Sequence, residues 1–139
     1  MERGPPRGNL MDVNDIIGMS HRAREIKYQC GPRIYTLRIP TEHEMRVIHQ
    51  RVMKDDAGPL LFQREVTLLA VVNWSGVTLG DILPDQPPAD LPYDRKLVPV
   101  LFDAQEMAGN TTELTQLTSA VFAEYNKRSE VLETDKGNS

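Results

Sequence analysis

The sequence predicts an α+β fold in which an N-terminal β-hairpin packs on a mainly helical domain of about four helices. Three observations support this prediction: a stretch that alternates with period two, a capping box that opens a helix, and a long apolar run with helical spacing. The chain of 139 residues suits one domain with a core that needs neither disulfides nor metal. We therefore expect a flexible arm at 1–9, a single α+β domain at 10–128 and a flexible tail at 129–139.

Composition limits the functional classes. The net charge of -4 disfavours general nucleic-acid binding, which requires a clustered positive surface. Cys30 is the single cysteine and has no intramolecular disulfide partner. No N-terminal signal segment is recognisable, and no run reaches the roughly 18 apolar residues of a membrane span. We expect a soluble protein in a reducing cytoplasm.

The first residues of the chain have two interpretations. Residues 1–9 are mostly Gly, Pro and Arg, so they are expected to be flexible in the free protein. The alternative is an arm that orders against a neighbouring subunit, and composition does not separate the two. An apolar patch from Leu10 to Met19 follows, and we expect it to dock as a turn of helix on the hairpin.

The period-two alternation lies between Glu25 and Pro40, with Gly31-Pro32 at its turn. Because two strands alone are marginally stable, the hairpin must lie on helices or join a sheet from another chain. An ordinary covered hairpin is favoured. The alternative is strand addition to a partner at an open edge. The apolar positions are Ile26, Tyr28 and Cys30 in the first strand and, in the second, the candidate partner-binding residues Tyr35, Leu37 and Ile39.

A first helix is predicted from a capping box. In Thr41-Glu42-His43-Glu44 the Thr41 hydroxyl can accept from the Glu44 amide while the Glu44 carboxylate reaches back to Thr41. The helix should begin at Glu42 and end near residues 55–59. Its buried stripe is predicted to consist of Met45, Ile48 and Val52.

The apolar run at 62–80 is expected to form the centre of the core. Phe62, Val66 and Leu69 recur at helical spacing, so we predict a helix that follows Gly58-Pro59 and is closed by a left-handed Gly76. The β-branched pair Val71-Val72 would also allow a strand, but the length of the run favours a helix. Trp74 is interpreted as a core residue, and the alternative is an exposed anchor for a partner.

The remainder of the chain alternates between loops and helices. Four prolines predict an irregular loop at 79–92. Asp94 is a natural cap for a short helix with an irregular start at Pro99. Asn110, with Glu113 three residues later, signals a last helix that ends near Lys127-Arg128. Its expected apolar positions are Leu114, Leu117, Val121 and Tyr125.

Motifs that would indicate catalysis are missing from the sequence. His43 and His49 are six residues apart, whereas a helical zinc pair needs a spacing of four. Cys30 is interpreted as a small hydrophobic residue rather than a reactive thiol. The carboxylates of the C-terminal half, Asp81, Asp85, Asp90, Asp94 and Asp103, are scattered. We therefore expect a non-enzyme with no catalytic, cofactor-binding or metal-binding residues and no cofactor.

The order of these features resembles the tail assembly chaperones of long-tailed bacteriophages. The similarity covers roughly residues 24–126. It rests on the W-x-G-V signature within Val72–Val77, followed by a Pro-rich loop and a Leu-Pro-aromatic step at Leu91–Tyr93. The matching signature and core positions, which look structural in such proteins, are Trp74, Gly76, Val77, Pro92 and Tyr93.

The resemblance implies a non-catalytic protein of the host-cell cytoplasm that engages the tape-measure protein and tail-tube subunits before the tail closes. Such a role is physically plausible, because a long apolar helical protein needs its surface covered during assembly. The alternative is a structural virion subunit, such as a head-tail connector or baseplate component. A third hypothesis is a small protein-binding regulator. A homo-oligomer is compatible with each of these roles.

Overall fold

A computed structural model describes residues 11–54 and 58–137 of the chain, with side chains described up to residue 130. The predicted arm at 1–9 lies outside these residues. The elements, in chain order, are α1 (Val13–Ala23), β1 (Glu25–Cys30), β2 (Arg33–Arg38), α2 (Glu42–Val52), α3 (Gly58–Ala70), β3 (Val71–Ser75), α4 (Leu79–Ile82), α5 (Leu97–Met107) and α6 (Thr112–Gly137). The α+β fold class and the N-terminal hairpin are confirmed.

The described strands form one antiparallel sheet in the order β1-β2-β3. Strand β2 is central, with Tyr35 opposite Tyr28 on one side and opposite Trp74 on the other. The alternating pattern predicts that helices or another chain support the hairpin. In the structure a third strand from the same chain also supports it.

The strand β3 corrects the prediction of one helix through the central apolar run. The helix ends at Ala70, and the β-branched residues Val71 and Val72 begin a strand that pairs with β2. Gly76 has the predicted positive φ, 78°, but it follows a strand rather than a helix. A Cβ atom there would lie 2.1 Å from the Pro32 carbonyl oxygen, so only glycine fits.

Helix α2 agrees with its prediction. It begins at Glu42, and both hydrogen bonds of the capping box are present between Thr41 and Glu44. Its buried residues are Met45, Ile48 and Val52, as the spacing predicted.

The C-terminal half differs from the prediction in three places. The Pro-rich loop contains the short helix α4, and Thr78 and Asp90 form an isolated bridge across it. Asp94 was predicted to cap the helix directly. In the structure it accepts from the Lys96 amide in the turn before α5, and Lys96 is the residue that precedes the helix. Helix α6 runs to Gly137, well beyond the end predicted near Lys127-Arg128.

Helix α1 does not pack on the hairpin as expected. None of its residues is buried, although Asp12 caps its first turn by accepting from the Asp15 amide at 2.8 Å. Its C-terminal end is held by Arg128, whose guanidinium donates to the Ala23 carbonyl at 3.1 Å. The apolar residues of α1 therefore lie on the surface.

One apolar core joins the sheet to the helices. It takes residues from all three strands and from α2, α3, α5 and α6. Its largest fully buried side chains include Tyr35, Phe102, Leu37, Ile39, Leu101 and Leu117.

Trp74→Ala is expected to destabilise the fold by roughly 3–5 kcal/mol, because Trp74 is only 6% exposed. Urea denaturation followed by circular dichroism measures the change in the free energy of unfolding. Leu60→Ala is the control, since Leu60 is largely exposed and its truncation should change little. Unchanged stability of Trp74→Ala, combined with lost partner binding, would overturn its assignment to the core.

Candidate functional site

The largely apolar surface between α2 and α3 is the candidate site, and we call it the α2–α3 groove. Its volume is about 460 Å³. Ile48 is buried and Leu68 half-buried, whereas Val47 and Leu69 are exposed. These four apolar residues share the groove with four polar ones: His43, Glu44, Arg51 and Glu65.

The groove follows from the helical period of its two walls. In α2 the buried stripe faces the core, and Val47 falls beside that stripe, where it stays accessible. In α3 the residues Val66, Thr67 and Ala70 face the core, so Leu68 and Leu69 are turned away from its centre. Two adjacent helices thus leave apolar side chains between them that the described part of the chain does not cover.

Ion pairs involve the polar residues of the groove. Arg51 and Glu65 approach to 2.9 Å and link the two helices. Glu44 pairs with Arg24 at 3.0 Å. Partial burial opposes the ionisation of Glu44, but hydrogen bonds from Thr41 and Arg24 outweigh it and keep its pKa below the ordinary value. Glu44 therefore carries a negative charge at neutral pH.

A second polar cluster, which we call the Glu113 network, is centred on the buried carboxylate of Glu113. Arg33 donates to both Glu113 oxygens, at 2.9 Å from Nε to Oε1 and 2.7 Å from Nη2 to Oε2. The Tyr35 hydroxyl and the Gln105 amide also donate to Oε1, the latter at 3.0 Å. Arg33 continues to Asp81 at 3.1 Å. The network connects β2, α4, α5 and α6.

The ionisation of the Glu113 network favours a structural role. Burial opposes the charge on Glu113, yet its bonds to Arg33, Tyr35 and Gln105 hold the carboxyl pKa below the ordinary value. The pKa of Tyr35 is raised, first by burial and then by its bond to Glu113. A carboxylate held ionised by three donors, beside a neutral phenol, is poorly suited to exchange protons near neutral pH.

Cys30 and the histidines are the side chains with reactive or metal-binding chemistry. Burial and the nearby Glu113 raise the pKa of Cys30 to about 11, so its thiolate is scarce at neutral pH. His49 packs edge-on against Phe62 with ring centroids 5.6 Å apart. Within residues 11–54 and 58–137, no group of three His, Cys, Asp or Glu residues could hold a metal ion.

Three of the five scattered carboxylates have separate local partners. Asp81 belongs to the Glu113 network, Asp103 pairs with Arg64, and Asp94 caps the turn before α5. Asp90 takes part in the bridge with Thr78 through its backbone and not through its carboxylate. These contacts place them in several parts of the fold.

The signature residues pack into one corner of the fold. The Trp74 indole N–H donates to the Leu91 carbonyl, and the Tyr93 hydroxyl donates to the Val71 carbonyl, both at 2.9 Å. The two rings meet edge to face with centroids 5.1 Å apart. Val77 is buried and Pro92 is exposed. These residues attach the Pro-rich loop to β3 and leave the groove to other residues.

The candidate partner-binding residues Tyr35, Leu37 and Ile39 are core residues in the structure. All three side chains are fully buried. The alternating pattern predicts a common face for these residues, and in the structure all three side chains are buried within the same chain. Their side chains offer no accessible surface to a partner in this conformation.

Sequence reasoning missed both polar and apolar features of these sites. Asn110 and Glu113 predict only the start of a last helix. In the structure the Glu113 side chain lies in the network, and Asn110 accepts from the Thr112 amide at 3.2 Å. Val47 lies beside the predicted buried stripe and is not part of it. An apolar residue bordering such a stripe is the signal that could have found the groove.

Comparisons with known proteins give no assignment: no family model, no curated protein and no solved structure matches this chain. None of the helices in the described part of the chain is both long and apolar enough to cross a membrane.

Glu113 is expected to make the free energy of unfolding depend on pH in the acid range. Its pKa in the folded state lies below the ordinary 4.5, so its contribution is present above about pH 4.5 and is lost as the pH falls through the folded value. Glu113→Gln should cost about 3 kcal/mol at neutral pH, because Arg33 loses its main partner. The stability of Glu113→Gln in the acid range should depend less on pH than that of the wild type.

Urea denaturation between about pH 7 and about pH 3 measures this effect. Glu106→Gln is the matched control, since Glu106 lies exposed on α5. Equal stability of Glu113→Gln and Glu106→Gln across the range would contradict the role of the network.

Proposed function

We propose that this protein is a non-catalytic tail assembly chaperone of a long-tailed bacteriophage, which binds the tape-measure protein and tail-tube subunits in the host cytoplasm. The observation that carries the binding role is the α2–α3 groove, with Val47 and Leu69 exposed beside Ile48 and Leu68. The tail pathway itself rests on the sequence resemblance at Trp74–Val77 and Leu91–Tyr93.

The shape and chemistry of the groove suit an amphipathic helix. Helix-in-groove binding places apolar side chains of the incoming helix, spaced three and four residues apart, against an apolar surface. A tape-measure protein of the kind implied by the resemblance is a long helical protein that exposes such side chains before assembly. Covering them would prevent aggregation, and no chemical step would be needed.

Charges among the polar residues of the groove would select the orientation of the bound helix. Arg51 offers a positive group and Glu65 a negative one, and Arg51 is largely exposed. Rim charges of this kind contribute more to orientation and association rate than to affinity. The apolar residues are therefore expected to supply most of the binding energy.

Val47→Asp is expected to weaken binding of the tape-measure protein at least about tenfold, or about 1.4 kcal/mol, because it places a charge in the apolar groove. Titration of the purified chaperone with a soluble helical tape-measure fragment measures the dissociation constant. Val100→Asp is the matched control, since Val100 on α5 is 42% exposed and Val47 is 45% exposed. Equal affinities of the two variants would reject the groove as the binding site.

Mass spectrometry distinguishes the chaperone from a structural virion subunit. Peptides of this chain are expected in infected-cell lysates and absent from purified mature particles, because a chaperone leaves before the particle is complete. The same lysate provides the positive control for detection. Presence in particles at a fixed, symmetric copy number would overturn the chaperone role in favour of a connector or baseplate subunit.

A further inference from the structure

The two outer strands of the sheet differ in how the chain protects their backbone. Side chains of the same chain bond backbone groups of β3: the Tyr93 hydroxyl donates to the Val71 carbonyl, and the Asn73 side chain accepts from the Trp74 amide, both at 2.9 Å. Strand β1 forms the opposite edge of the sheet. An outer strand without such protection can pair with a further strand.

The register of the hairpin shows which backbone groups of β1 point outward. The Ile39 amide donates to the Arg24 carbonyl at 2.8 Å, so Arg24 and every second residue after it bond to β2. The N–H and C=O groups of Glu25, Lys27 and Gln29 therefore point away from β2. No hydrogen bond from the described backbone and side chains reaches these groups. The side chains of Lys27 and Gln29 are exposed, so this edge of the sheet is open.

Charges on the open edge are arranged in a self-complementary order. Glu25 and Lys27 are two residues apart, so both lie on the face of β1 that is turned away from the core. Arg38 donates to one Glu25 oxygen at 3.1 Å, and Lys27 donates to the Thr36 hydroxyl at 2.9 Å. A carboxylate accepts several hydrogen bonds and an ammonium donates three, so both groups can bind a further partner.

We propose that β1 is a dimerisation strand, and that it pairs antiparallel with β1 of a second copy of this chain around a two-fold axis at Ile26. Glu25 of one copy then lies directly opposite Lys27 of the other, and by symmetry this contact occurs twice. The backbones of these residues exchange N–H···O bonds through the groups that point outward. Two three-stranded sheets thereby become one sheet of six strands.

The charges select this register over its two neighbours. An axis at Lys27 would place two lysines directly opposite each other, which is unfavourable. An axis at Tyr28 would leave neither charged residue opposite a charge of the other sign. Only the axis at Ile26 pairs Glu25 with Lys27, and it also brings together two half-buried Ile26 side chains on the other face of the sheet.

The interface is small, which sets the expected strength. Strand β1 has 6 residues, and a pair of such strands forms a contact below the size of stable, permanent interfaces. The dimer should therefore form and dissociate readily as the concentration changes. This surface differs from the α2–α3 groove, so dimerisation and partner binding are tested separately.

Sedimentation velocity of the full chain over a wide concentration range is the first test, and a monomer–dimer equilibrium is expected. Lys27→Pro should abolish the dimer, because it removes an outward N–H group that the second copy needs. The folded monomer should persist by circular dichroism, since proline is tolerated in an outer strand where the N–H faces solvent. Lys27→Ala is the matched control: it loses the same side chain but keeps the amide, so it should dimerise more tightly than Lys27→Pro.

A charge-exchange experiment tests the register without a proline. Glu25→Lys places two lysines of one copy opposite lysines of the other, and Lys27→Glu does the same with glutamates, so each variant alone should dimerise about tenfold more weakly. An equimolar mixture should form heterodimers, because every lysine then lies opposite a glutamate. The mixture is followed by giving one variant a fluorescent label. Glu106→Lys, at an exposed position on α5, is the charge control and should dimerise like the wild type.

Several results would overturn the proposal. A monomer at every concentration, or a dimer that tolerates Lys27→Pro, would exclude β1 as the interface. Loss of the dimer in Val47→Asp would place the contact in the α2–α3 groove. Wild-type dimerisation of Glu25→Lys, or failure of the mixed charge variants to associate, would exclude the two-fold axis at Ile26.

Discussion

The buried carboxylate of Glu113 is the group on which the arrangement of the sheet and the last helices depends. A charge in this position is costly unless several donors surround it, and Arg33, Tyr35 and Gln105 supply them from β2 and α5. Asp81 extends the network to α4. Because these donors come from different elements, the cost of burial is offset only when all of them occupy their native positions.

The network is coupled to the signature corner through the central strand. Tyr35, which donates to Glu113, is the cross-strand neighbour of Trp74, and Trp74 packs on Tyr93. The Glu113 network therefore holds Tyr35 in β2, and the aromatic corner holds Trp74 in the neighbouring strand β3. Strand β3 gives β2 its second hydrogen-bonded neighbour at Val71–Ser75.

Features with local causes could be predicted, and features that depend on distant residues could not. The Thr41–Glu44 capping box and the buried stripe of α2 arise within one turn or one helix period, so the sequence predicted both. The end of α3 at Ala70 depends on pairing with β2 and on Arg95, which donates to the Leu68 and Leu69 carbonyls from far along the chain. The role of Glu113 escaped prediction for the same reason, because its donors Arg33, Tyr35 and Gln105 are brought to it by the fold and not by the sequence around the start of α6.

The structure exposes two apolar surfaces, the α2–α3 groove and the apolar residues of α1. The Glu113 network and the signature corner join the elements of the body without using Val47, Leu69 or Ile17, so the fold itself does not require these exposed side chains. A partner that covers the α2–α3 groove could therefore bind and leave while the body stays folded, because the residues that it would touch are not those that hold the body together. The proposed chaperone role needs this separation, since a chaperone must release its partner when assembly is complete.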